Sequence, residues 1–124
     1  MDDEKMAELC RAAKDRLEDV PELELFDNIN IDDVLVAYAL ATNECGFLID
    51  RRNGTLLRDV HRLIRAMKGL KKQEPKCRLF GILLADDVAG IDAAFLRFCG
   101  ERNIAILTGE ELLPFVRERF MARR

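Results

Sequence analysis

At 124 residues, about half of them apolar and about a third charged, the chain has the size and balance of a single globular domain (1–124) that needs no staple for its core. No apolar run approaches the ~20 residues needed to cross a bilayer. The start, Met1-Asp2-Asp3-Glu4, lacks the basic and apolar regions of a signal peptide. The expectation is therefore an intracellular, cytoplasmic protein with no membrane partner.

Beneath the net charge of −3 lies an asymmetry. Residues 1–50 hold fourteen Asp and Glu against four Lys and Arg, whereas residues 51–78 hold ten Lys and Arg against Asp59 and Glu74. A basic segment of that density holds a polyanion, or it pairs with the acidic half as a solvated helix face.

In chain order, Met6, Leu9, Cys10, Ala13, Leu17 and Val20 recur at helical spacing, which predicts an amphipathic helix from Asp3 to Asp19, stopped by Pro21. Glu22 to Phe26 alternates as a short strand, and Asp27-Asn28-Ile29-Asn30 carries turn chemistry. Residues 31–43 fit strand or helix. The β-branched start and the turn-like Thr42-Asn43-Glu44-Cys45-Gly46 favour a strand, with a hairpin into Phe47-Leu48-Ile49. After Arg52-Asn53-Gly54, Thr55 suits the cap of a helix with apolar Leu56, Leu57, Val60, Leu63, Ile64, Met67 and Leu70 and with Arg58, Arg62 and Arg65 opposite.

A lysine-rich loop from Lys71 to Lys76 follows. The runs Leu79 to Ala85 and Ile104 to Leu107 read as parallel strands buried on both faces, each followed by a helix. The fold expected is α/β, a three-layer α/β/α with a central mixed sheet in the order α-β-β-β-α-β-α-β-α. Leu57, Val60, Ile64, Phe80, Ile82, Leu84, Phe95, Phe98, Ile104 and Ile106 are expected to be buried together.

Chemistry is sparsely written. Cys10, Cys45, Cys77 and Cys99 form no CxxC pair, and they read as reduced, buried thiols. A lone histidine, His61, excludes sites that need two; beside an apolar stripe it reads as a partly buried structural residue rather than half of a Cys–His pair. There is no phosphate-binding glycine loop, GxSxG or HExxH. Asp86-Asp87 ends a strand where α/β sites form and equally suits a helix cap.

Asp33 opens one strand of the expected hairpin, and Asp50 and Arg52 lie near the end of the other, on one face by period two. Two carboxylates on adjacent strands can share a Mg²⁺ that activates water against a phosphodiester. The order α-β-β-β-α-β, with Ile31-Asp32-Asp33-Val34-Leu35 and Leu48-Ile49-Asp50-Arg51-Arg52, resembles the PD-(D/E)XK nuclease core, and Leu57-Arg58-Asp59-Val60 with Gly81-Ile82-Leu83-Leu84 resembles its Mrr-type restriction endonuclease branch.

That resemblance implies Asp33, Asp50 and Arg52 as catalytic residues and Asp33 and Asp50 as metal ligands. It goes with phosphate contacts from Arg51, Arg58, Arg62, Arg65, Lys71 and Lys72, DNA ahead of RNA as partner, and room for a homodimer. Arg52 stands where the family usually has lysine, and arginine cannot act as a base. A divergent nuclease, with cleavage intact or lost, is the expectation.

A second resemblance competes. Leu83-Leu84-Ala85-Asp86-Asp87 and Phe98-Cys99-Gly100-Glu101-Arg102-Asn103-Ile104 are similar to the kink-turn-RNA-binding ribosomal proteins and the growth-arrest and DNA-damage stress proteins. These are non-catalytic RNA- or protein-binding modules. This fold would need residues 31–43 to be helical.

Overall fold

The computed structural model describes residues 1–121. Nine elements follow one another: α1 (Asp3–Asp15), β1 (Glu24–Ile31), β2 (Val34–Ala41), β3 (Cys45–Arg51), α2 (Leu56–Gln73), β4 (Arg78–Leu84), α3 (Ala93–Gly100), β5 (Ile104–Leu107) and α4 (Gly109–Met121). The sheet order is β1-β2-β3-β4-β5. The first three strands form an antiparallel meander; β4 and β5 add in parallel through helical crossovers. This is the mixed α/β sheet expected, with the elements in the expected order.

Local chemistry explains most boundaries. The Asp2 carboxylate accepts from the Lys5 N–H at 2.7 Å and starts α1. The helix ends at Asp15, four residues earlier than expected. Leu17 and Val20 stay buried because consecutive turns carry them down toward Pro21.

The turn expected at residues 27–30 lies inside β1. Only Asn28 bends there, with φ +48°, and it drops out of the pairing without shifting the register. The reversal comes at Asp32 and Asp33, with φ +49° and +65°, a two-residue turn of the primed kind that matches strand twist. Residues 34–41 are strand, so the helix that the second resemblance needs over 31–43 is not formed.

The sheet divides the apolar side chains into two cores. Leu40, Phe47, Ile49, Ile82 and Leu84 pack with Met6, Cys10, Leu112 and Val116 of α1 and α4. Val36, Leu48, Leu83, Ile104 and Ile106 pack with Val60, Leu63, Ala66 and Cys99 of α2 and α3. The single core expected is thus two, set by the alternation of side chains along β3 and β4, whereas the faces of β2 exchange between Val36 and Tyr38. Leu57 does not join either; it is 53% exposed, because the apolar arc of α2 is narrower than the residue list suggested. Ile64, Phe80, Phe95 and Phe98 are half-buried at the margins.

All four cysteines are buried and none is in a disulfide. Burial pushes the Cys10 thiol up to about 12, which keeps it protonated and inert. No described helix is long and apolar enough to cross a membrane.

Replacing the fully buried Ile82 with Ala should lower unfolding free energy by roughly 2–5 kcal/mol. Leu57→Ala should stay within about 0.5 kcal/mol of the parent. Urea titrations of both proteins check this, and the reverse ranking would mean that the α2 arc is misassigned.

Candidate functional site

The helix α2 organises the candidate site. The Thr55 hydroxyl accepts from the Arg58 N–H at 3.3 Å and caps it, as the sequence suggested. Its buried side is Asp59, Val60, Leu63, Ala66 and Gly69. Gly69 is needed there: a Cβ would lie 2.5 Å from Asp32 Oδ2 and 2.9 Å from Ile31 Cγ2, so its absence lets the β1–β2 turn settle on the helix.

Nine residues of α2 are exposed, and seven of them are Arg58, His61, Arg62, Arg65, Lys68, Lys71 and Lys72; the other two are Leu57 and Gln73. No carboxylate shares that face, because Asp59 points inward. Among the described residues no ion pair involves any of these cations. The Arg62 guanidinium donates to the Leu35 carbonyl at 2.9 Å and Lys71 Nζ to the Cys77 carbonyl at 2.7 Å, which fixes two of them without neutralising either. His61 is exposed rather than partly buried, and every cysteine is buried, so it has no thiol partner at the surface.

Beneath the start of α2 lies a small cleft of about 10 Å³ lined by Val34, Val36, Asp50, Arg51, Asp59, Arg62, Leu63 and Leu83. Asp59 is only 5% exposed. One carboxylate oxygen accepts from the Asn53 N–H at 2.9 Å, and the Gly54 N–H lies within 3.1 and 3.3 Å of the two oxygens. Asp59 therefore ties the loop after β3 to the helix.

Asp50 is half-buried. Burial raises its pKa above the ordinary carboxylate value; the Arg51 N–H, the Arg62 charge and the Ala37 N–H oppose that rise, and the Asp59 charge adds to it. Asp59 was absent from the site read in the sequence. The available signal was an acid on the apolar arc of a basic helix, between Leu56 and Val60 and Leu63.

The other expected site residues disperse. Asp33 is exposed in the β1–β2 turn and does not line this cleft. Pairing of β2 with β3 runs from Tyr38 with Ile49 to Ala41 with Gly46, so Asp33 lies in the turn beyond the paired length of β2. Arg52 is exposed in a separate shallow cleft with Leu56, Leu57, Ile91 and Phe95. Arg51 turns to the opposite face of the sheet, where it donates to the Met1 carbonyl at 3.0 Å and pairs with Asp3 at 2.9 Å. Asp87 accepts from the Ala89 N–H in the loop, and Asp92 caps α3.

A Mg²⁺ shared by Asp33 and Asp50 does not fit this donor set. Asp59 already holds two N–H groups, and Asp50 has a guanidinium beside it rather than a second carboxylate free for a cation. Among the described residues no group of three His, Cys, Asp or Glu is arranged to hold a metal ion.

Asp59→Ala should cost about 2–3 kcal/mol, because it strips the acceptor from two N–H groups. The Asp50 prediction concerns pH. An acid with a pKa raised by folding binds its proton more tightly in the folded chain; the stability this gives is fully present below the unfolded carboxylate value and is lost as pH rises through the folded one. Asp50→Asn should therefore gain stability relative to the parent as pH rises above the unfolded value of about 4. A melting-temperature difference that stays constant as pH rises from there would contradict the assignment. Comparison of the chain with protein-family models, with curated proteins and with solved structures found no significant match.

Proposed function

We propose that this chain is a nucleic-acid-binding domain of restriction-endonuclease-like build, with DNA as the favoured partner, and that it binds without cutting. The observation that carries the reading is the exposed face of α2, where seven cationic or histidine side chains stand without a carboxylate among them. From Arg58 to Lys72 the helix rises about 21 Å, enough to reach phosphates on both sides of a groove. Backbone phosphates reward such an array through counterion release, whatever the base sequence.

Charge distribution supports a directed approach. The exposed acids of α1 (Asp3, Glu4, Glu8 and Asp15) lie on the other side of the sheet from α2. The overall charge of −3 is not carried by the α2 face, so it does not oppose binding there. The position of Asp33 outside the Asp50 cleft and the arginine at position 52 argue against cleavage.

Binding of a fluorescent DNA duplex should weaken steeply with salt, by about 0.9 log units of affinity per log unit of salt for each phosphate contact. Reversing Arg58 and Arg65 to Glu together should abolish it. These two are chosen because Arg62 also bonds Leu35 and borders Asp50. Arg11→Glu on α1 should leave binding unchanged, and the DNA should stay intact in Mg²⁺. Salt-insensitive affinity, or no binding at all, would overturn this reading in favour of an acidic protein partner.

A further inference from the structure

At the far end of α2 from Asp50 the sheet has a notch. Strand β5 begins opposite Gly81, so the first three residues of β4, Arg78 to Phe80, have β3 on one side and no strand on the other. Along β4 the Gly81 and Ala85 N–H groups donate toward β5 and the Arg78 N–H donates toward β3. This alternation turns the Leu79 peptide group toward the notch. The notch is closed by α2 on one side and by the Arg102-Asn103 turn on the other, as a cleft of about 530 Å³.

Its lining combines two chemistries. Ile64, Met67 and Leu79 give an apolar wall. Lys68, Lys71, Arg78 and Arg102 border it, and among the described residues no carboxylate lines it. Glu101 reaches Arg102 only at 4.0 Å, on the exposed side.

Arg78 stands at the notch with its guanidinium turned to the α4 side of the sheet, where Nη2 donates to the Arg119 carbonyl at 3.0 Å. Volume, apolar wall and cationic rim together match a planar ring bearing a phosphate.

We infer that this notch is a binding site for a phosphorylated nucleoside, adjoining the α2 face and separate from the Asp50 cleft. The ring lies against Met67 and Leu79, the Leu79 peptide is in place to bond its edge, and the phosphate is held by Lys68 and Arg102. The ligand has two sources of the same chemistry: a free mononucleotide, or the 5′-phosphorylated end of a strand whose backbone runs along α2. Lys68 and Lys71 belong to both surfaces, which makes the second route continuous. Only that second source rests on the reading of α2 as a phosphate-contacting helix.

The test is a titration of the ¹⁵N-labelled chain with adenosine 5′-monophosphate, adenosine and inorganic phosphate, followed at the Leu79, Gly81 and Asn103 amides. The monophosphate should shift these signals at concentrations at least tenfold below either fragment. Lys68→Glu and Arg102→Glu, both at exposed positions, should each weaken it about tenfold while the rest of the spectrum holds.

A 5′-phosphorylated oligonucleotide that shifts the same amides more tightly than its 5′-hydroxyl counterpart would identify the strand end as the source. Equal response to the two oligonucleotides, with the monophosphate still bound, would identify the free nucleotide. If duplex binding fails while the monophosphate binds, the notch stands without the α2 reading. No shift at these amides, or shifts that survive both reversals, would overturn the inference.

Discussion

The seam between α2 and the sheet sets everything else in this molecule. Val60, Leu63 and Ala66 press against Val36, Leu48 and Leu83, and Gly69 lets the β1–β2 turn close on the same helix. A helix has only so much circumference. With its apolar arc committed to the sheet and Asp59 folded inward, the remaining positions must face water, and this sequence fills them with arginine, lysine and one histidine. The cationic face is thus a by-product of core geometry only in its position. Its composition is not required by folding, since salt-tolerant mixed charges would serve solubility as well.

The carboxylate cleft shows how two acids can meet beside a sheet without assembling a metal site. Asp59 anchors the loop that follows β3, and Asp50 lies with Arg62 rather than with Asp33. Asp33 stays in the β1–β2 turn, outside the cleft that holds Asp50 and Asp59.

Much of the fold was legible because the chain obeys local rules. Thr55 caps its helix, the runs at Leu79 and Ile104 are two-sided strands, and the strand reading of residues 31–43 holds over 34–41. Errors arose where local chemistry served a different tertiary end. Asp27 to Asn30 looks like a turn, but pairing with β2 holds it extended and moves the reversal to Asp32-Asp33. Leu57 looks like core because its type is apolar, yet the helix phase turns it outward. The site was less legible than the fold, because alternation predicts which face Asp50 occupies but not which residue of the neighbouring strand it meets. Asp59 and the notch beside Arg78 depend on where β5 begins and how α2 lies, and neither follows from spacing along the chain.

The central claim is that α2 presents a phosphate-binding surface. The most direct measurement is a map of amide signal changes in the ¹⁵N-labelled protein as a short DNA duplex is added. The account predicts changes concentrated from Arg58 to Lys72, vanishing at high salt, with α1 and α4 silent. Changes confined to α1 and α4, or a spectrum indifferent to DNA at low salt, would contradict it.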